Sequence, residues 1–486
     1  MQNDHQGPPC RQFISGKIKT KFFCTIKFST PYYNVKCQRC GENNTWFKWK
    51  YINIILTNIK NMLIKRRLLE KVRLYLEDRE FIAIRGPRQS GKTTMLKQLY
   101  LELSERHGKN HVLFKTFEDP FELQAFQKSP VDYIKLSIRD DKKYIFLLDE
   151  VQYDEEAGKH LKLIYDTIEN VKVIMTGSST LDIGKVSSYL VGRVHLFDLL
   201  TLSFDEYLGF VDERLQEAFY KGNAAFTALL NNKMPIMENN IMLDKLNSEL
   251  EKYIVMGGYP AVCIRQSQEE KIQLLKDIYI TYLEKDIPRQ YNIKENEVRD
   301  LSIALALQAG SLINYNEISA NIGTYYKKII EMIDVLESTY IIKRLRSFSR
   351  NLRNEIKKSP KAYFYDLGMR NYLAQNFNYP GLRSGVEAGA LAENFVFIEL
   401  QKLTNTNLYF WRTKAGAEVD FVIVNAQNMI PIEVKYSNLK NPKVTRSMLS
   451  FINAYKPKYA IILNKSFIGS TERNGTKIIF LPIAYV

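Results

Sequence analysis

With 486 residues, 45% hydrophobic and 25% charged, the chain is long enough for about three domains and has an ordinary composition for packed cores. A formal charge of +16 and a pI near 9.3 favour polyanionic partners such as nucleic acid. No stretch reaches the roughly 18 uninterrupted apolar residues that span a bilayer, and the opening MQNDHQGPPCRQF lacks an apolar signal core. Membrane insertion and secretion are therefore not expected, and the cytoplasm is.

Residues 1–61 are rich in Lys, Asn and aromatic side chains without a clear period. They read as an N-terminal extension: an added or mispredicted start, or an arm that binds nucleic acid. The five cysteines, at 10, 24, 37, 40 and 263, are an odd number, which argues against a disulfide framework. Cys37 and Cys40 have the spacing of half a zinc site, which Cys10 and Cys24 could complete, but a second CxxC is missing. Free thiols are the plainer reading.

From Met62 the pattern becomes regular, with a basic amphipathic helix and then the short apolar run Phe81–Ile84 bounded by Gly86 and Pro87, as in a buried parallel strand. From Lys92 the spacing of Met95, Leu96 and Leu99 is helical. Between strand and helix lies Gly86-Pro87-Arg88-Gln89-Ser90-Gly91-Lys92-Thr93, followed by Thr94. Its glycines let backbone N–H groups cradle phosphates, Lys92 can reach the β- and γ-phosphates, and Thr93 can ligate Mg²⁺. ATP and Mg²⁺ are the expected ligands. His111–Phe117 reads as a second strand and Tyr144–Glu150 (YIFLLDE) as a third with two acids at its carboxyl end. There Asp149 would hold Mg²⁺ through water, and Glu150 would orient or deprotonate the attacking water. Val171–Ser179 is the next strand, ending in the hydroxyls Thr176, Ser178 and Ser179, of which Ser178 is the expected γ-phosphate sensor. Arg193 is a candidate arginine finger for its own or a neighbouring subunit.

GPRQSGKTT, LLDEVQ, MTGSS, VGRVHLFDLLTLSFDEYL, GGYPAV and TYLEKDI together resemble the AAA+-type P-loop ATPases of bacteria and archaea that carry a C-terminal nuclease-like domain of unknown function. The resemblance covers roughly residues 62–486; Lys285, where arginine is commoner, and Leu200-Thr201-Leu202, which lacks the usual proline, depart from it. It implies the additional-strand, catalytic-glutamate type of P-loop ATPase, a helical lid and a capacity to form homo-oligomers. The expected fold is multi-domain α/β. Residues 62–235 form a P-loop ATPase with a parallel sheet, 236–295 a helical lid broken at Gly257-Gly258-Tyr259-Pro260, 296–358 a winged helix, and 359–486 a restriction-endonuclease-like α/β domain.

The winged-helix reading rests on a short helix, a turn at Gly323, a longer helix and a strand. Lys343, Arg344, Arg346, Arg350, Arg353, Lys357, Lys358 and Lys361 follow as a basic cluster suited to a DNA backbone, although Ile329, Ile330, Ile333 and Leu336 give the longer helix a core face. In the last domain Gly389–Leu400 is helical, with Glu393 early in it, and strands carry Asp420, Glu433 and Lys435 in a D…ExK arrangement. Two carboxylates on adjacent strands can bind a divalent ion, Glu393 can complete the site, and Lys435, on the same strand face as Glu433, can polarise water. The expected function is ATP binding and hydrolysis that controls a nuclease-like, DNA-directed domain. The alternative is a non-cutting, ATP-dependent switch or scaffold that binds DNA or protein partners.

Overall fold

The computed structural model describes residues 64–178, 180–349, 359–378, 385–403, 407–425 and 428–486. The N-terminal extension with Cys10, Cys24, Cys37 and Cys40, together with Ser179, Arg350, Arg353, Lys357 and Lys358, lies outside the described residues.

A short helix, Arg67–Arg73 (α1), leads into a five-stranded sheet: Phe81–Arg85 (β1), Val112–Thr116 (β2), Tyr144–Asp149 (β3), Val171–Gly177 (β4) and Val194–Asp198 (β5). Its order is β2-β3-β4-β1-β5, with every pairing parallel. The phosphate-loop strand and the acid-bearing strand are therefore not neighbours, because β4 stands between them. All residues of β3 and β4 are buried, since the crossover helices cover both faces. The period-two alternation divides the apolar residues between two cores: Phe81, Ala83, Phe146 and Leu148 face one way, and Ile82, Ile84, Ile145 and Leu147 the other. Helix Lys92–His107 (α2) packs Met95, Leu96 and Leu99 into the second core. This matches the helical spacing of those residues.

Beyond the sheet, one continuous core runs from Leu202 to Val486. It is lined by the helices Phe204–Val211 (α3), Glu213–Leu230 (α4), Leu243–Met256 (α5), Pro260–Ile264 (α6) and Gln268–Ile278 (α7), and by one face of the elements that follow, while Trp411, Val419, Val422, Met448, Phe451, Ile452 and Phe480 form a separate core on the other face of the last sheet. The lid, wing and last domain expected as separate pieces share this core, because each contributes an apolar helix stripe that the others cover. Within the segment expected as a helical lid, α7 gives way to a π-helix, Tyr279–Asp286, followed by Ile287–Tyr291 (α8). Pro288 has no N–H to return to the preceding turn, and widened turns of this kind recur at functional positions.

Three helices follow, Glu295–Leu307 (α9), Tyr315–Ile322 (α10) and Tyr326–Ser338 (α11), then the antiparallel pair Ile342–Leu345 (β6) and Lys361–Phe364 (β7). Lys361–Phe364 was expected to open the last domain. Instead its register against β6, Ile342 opposite Phe364 and Leu345 opposite Lys361, makes it the closing strand of the preceding segment. After Leu367–Leu373 (α12) and Val386–Leu403 (α13) comes a six-stranded sheet: Asn407–Arg412 (β8), Glu418–Asn425 (β9), Asn428–Val434 (β10), Tyr459–Asn464 (β11), Gly469–Arg473 (β12) and Thr476–Pro482 (β13). β8, β9 and β10 form an antiparallel meander, helix Arg446–Tyr455 (α14) crosses over, and β11 pairs parallel with β10 and β13. Among the described residues no helix is long and apolar enough to cross a membrane.

Candidate functional site

The loop after β1 can turn only because of its backbone. A Cβ on Gly86 would lie 2.1 Å from the Leu199 carbonyl oxygen, and Gln89 and Gly91 take φ of 60° and 96°. Lys92 is buried at 4% exposure, and its Nζ donates to the carbonyls of Gly86 (3.0 Å) and Pro87 (2.9 Å). Burial lowers its amine to about 8, opposed by the nearby charges of Glu150 and Asp149. Thr93 Oγ1 donates to Asp149 Oδ2 at 2.8 Å, Thr176 Oγ1 to Asp149 Oδ1 at 2.5 Å, and the Glu150 N–H to Thr176 Oγ1 at 3.1 Å. Glu150 itself sits at φ 56°, a conformation that costs a non-glycine residue about 1–3 kcal/mol and gathers at functional sites. Gln152 donates to the Glu150 carboxylate and, at 3.1 Å, to Ser178 Oγ.

Lys92, Thr93, Asp149, Glu150 and Ser178 are thus brought together. The expected sensor Ser178 bonds to the glutamate's partner. Thr93 and Asp149, a hydroxyl and a carboxylate one hydrogen bond apart, form the hard-oxygen set that Mg²⁺ prefers.

Arg66 and Asp286 also hold the loop, and no spacing in the sequence pointed to their role. Arg66 donates to the carbonyls of Ser90 (2.7 Å) and Leu200 (2.6 Å) and to Glu206 Oε2 (3.0 Å), tying the loop to the helical half. Arg88 of the loop pairs with Asp286 at the end of the π-helix, its guanidinium 5.8 Å from the Tyr282 ring centroid.

Arg193 is a correction. It precedes β5, and its carbonyl accepts from the N–H of Phe81, the first residue of β1, whereas the phosphate loop follows Arg85, the last. A five-residue strand separates the two by about 16 Å. Its guanidinium instead bonds Asp166 at 2.9 Å. Arg193 does not reach its own P-loop.

In the C-terminal sheet, Asp420 Oδ2 accepts from the Val434 N–H at 2.7 Å, Glu433 accepts from Thr445 Oγ1 at 2.6 Å, and Lys435 Nζ lies 2.8 Å from Glu433 Oε1. Burial pushes the Asp420 carboxyl well up, with Glu393 adding to the shift. Burial lowers the Lys435 amine, but Glu433, Asp420 and Glu393 together raise it above its ordinary value. Glu393 bonds Lys361 and Tyr363. The three acids share one neighbourhood but are not among the groups whose ligand atoms all lie within 4.8 Å of one another. Among the described residues only Asp78, Glu80 and His195 form such a group.

The basic cluster is corrected at three of its members. Lys343 and Arg344 pair with Glu337, Arg344 also pairs with Asp334, and Lys361 is buried between Glu393 and Glu418. These three are neutralised within the chain, and among the described members only Arg346 remains exposed without such a pair.

An AAA domain family model matches residues 78–208, a domain of unknown function (DUF8612) residues 247–379, and a domain of unknown function (DUF4143) residues 388–484. An uncharacterized protein of Methanocaldococcus jannaschii is 25% identical over 401 residues, which are 78% of this chain and 81% of that protein. An uncharacterized protein of Mycobacterium tuberculosis is 24% identical over 401 residues, 81% and 78% of the two chains. Among solved structures, the Aeropyrum pernix ORC1 protein in complex with DNA aligns with a TM-score of 0.29 at 14% identity, covering 63% of this chain and 91% of that one. The AAA match contains the whole parallel sheet with Lys92, Asp149 and Glu150, and the DUF4143 match contains Glu393, Asp420, Glu433 and Lys435. Residues 78–208 are thus similar to the AAA domain family and residues 388–484 to a family of unknown function, the arrangement of an AAA+-type ATPase joined to a C-terminal domain of unknown function.

Proposed function

We propose that the chain binds and hydrolyses ATP and that its nucleotide state controls a nuclease-like, DNA-directed C-terminal domain. The observation that carries this reading is the hydrogen-bonded run Thr93–Asp149–Thr176–Glu150 beside Lys92. Phosphates entering the cradle take Lys92 from the Gly86 and Pro87 carbonyls, exchanging two neutral acceptors for anionic ones. Glu150, held by Gln152, accepts the proton of the attacking water. When bound between Thr93 and Asp149, Mg²⁺ would supply charge neutralisation at the phosphates. Arg193, turned away from its own loop, can serve only the nucleotide of a neighbouring subunit in a homo-oligomer.

Control of the far domain is supported by short polar links. Leu202 N–H donates to the Gly258 carbonyl at 2.8 Å, and Gly258 N–H to Asp366 Oδ2 at 2.8 Å, joining the segment after the parallel sheet to α12. Gly257 can take no side chain there, since a Cβ would lie 2.2 Å from Asp366 Oδ1. Beyond that joint, helix α13, three antiparallel strands, helix α14 and a parallel strand, with Asp420 and Glu433 on neighbouring strands, support the nuclease-like reading. The three-helix segment with its β6–β7 pair supports a winged helix.

The test is duplex DNA incubated with the protein, Mg²⁺ or Mn²⁺, and with or without ATP. Cleavage is expected from the wild type and its loss in Asp420→Ala and Lys435→Ala. Cleavage that survives both substitutions would remove that site from the reaction, and no cleavage under any condition would favour the non-cutting switch.

A further inference from the structure

The acid cluster of the C-terminal domain contains a cation that the D…ExK pattern does not name. Lys361, 3% exposed, places Nζ 3.0 Å from Glu393 Oε1 and 2.6 Å from Glu418 Oε1, and 5.6 Å from the Phe410 ring centroid. Tyr363, two residues on and so on the same strand face, donates its hydroxyl to the same oxygen of Glu393. Glu418 precedes Asp420 by two residues on β9, which puts a fourth carboxylate beside Glu393, Asp420 and Glu433. The strand carrying Lys361 and Tyr363 is β7, which belongs to the two-stranded pair after the three helices and not to the six-stranded sheet. A neighbouring segment therefore delivers an ammonium group to the oxygen that a metal would need.

We propose that Lys361 is the resident cation at the Glu393 oxygen of this acid site, beside the Lys435–Glu433 pair, and that a divalent ion takes that oxygen only as the Lys361 ammonium moves off Glu393. The proposal rests on the reading of Glu393, Asp420 and Glu433 as a divalent-cation site. An ammonium and a divalent ion competing for one carboxylate oxygen repel each other in a poorly solvated pocket, so binding of one excludes the other. The means of moving it is also in place. Tyr340, two residues before β6, donates its hydroxyl to Asp198, and Asp198 bonds Arg85 at 2.7 Å, the last residue of β1 before the phosphate loop. The strand pair that carries Lys361 is thereby fastened to the strand that carries the nucleotide loop.

Calorimetric titration of the nucleotide-free full chain with Mn²⁺ tests this, with Asp420→Asn identifying the heat that belongs to the acid site. Lys361→Met, which keeps the apolar stem and removes the charge, is expected to bind Mn²⁺ about tenfold more tightly there than the wild type. Equal or weaker binding that Asp420→Asn still abolishes would overturn the role of Lys361 while leaving the metal reading intact. Mn²⁺ heat that is absent, or insensitive to Asp420→Asn, would overturn the metal reading itself. Should Lys361→Met fail to fold, amine acylation of the wild type followed by peptide mass measurement decides the matter. Lys361 is expected to be protected without metal and labelled once Mn²⁺ saturates the site; unchanged labelling would overturn the proposal.

Discussion

Lys92→Ala is expected to lower ATP affinity by about a hundredfold or more, read by titration with a fluorescent ATP analogue. A charge-assisted hydrogen bond to phosphate contributes roughly 1.5–3 kcal/mol, and Lys92 can make more than one. The side chain is buried beneath the loop at 4% exposure, with its ammonium already aimed at the loop carbonyls. The substitution also frees the Gly86 and Pro87 carbonyls, and a melting curve without nucleotide separates loss of the loop's own bonds from loss of binding. Unchanged affinity in a folded variant would show that the nucleotide sits elsewhere.

Glu150→Gln is expected to leave ATP binding within a few-fold of wild type and to reduce turnover by about 10²- to 10⁴-fold, the span typical of losing a positioned general base. Glutamine keeps the size of the side chain and an oxygen that can accept from Gln152, while losing the carboxylate that takes the proton. The left-handed backbone at position 150 holds the side chain at the carboxyl end of β3 in either form. Binding and turnover measured on one preparation separate this outcome from a folding defect. Turnover equal to wild type would remove Glu150 from the chemistry.

Much of the nucleotide half was legible because its signals are local. A buried strand, a glycine loop and a helix occupy consecutive residues, so Phe81–Arg85 and Lys92–His107 fall where the apolar spacing puts them. The acids Asp149 and Glu150 were equally plain, since a fully buried strand ends there. Arg193 was misread as a finger for its own subunit because a motif gives no information about which end of a strand faces the nucleotide; the register of Phe81 opposite Val194 does. The basic run after residue 342 suggested a free cationic face because lysines and arginines are counted in sequence, whereas their acids, Asp334, Glu337, Glu393 and Glu418, arrive from other elements. The same limit hid Arg66 and Asp286, whose partners lie far along the chain. The shared core from Leu202 onward was hidden for a related reason: a helix stripe announces that it will be buried but not against what.

In the proposed function the P-loop's nucleotide state passes to the C-terminal half through residues 279–291. Arg88, paired with Asp286, would be its starting point, because a phosphate bound in the loop would compete with Asp286 for the same guanidinium. Backbone hydrogen exchange of Glu150→Gln with and without a non-hydrolysable ATP analogue tests this most directly. Exchange is expected to change in residues 86–94 and also in 279–291 and 361–373. A change confined to 86–94 and 144–152, with 279–291 and 361–373 identical in the two states, would contradict it.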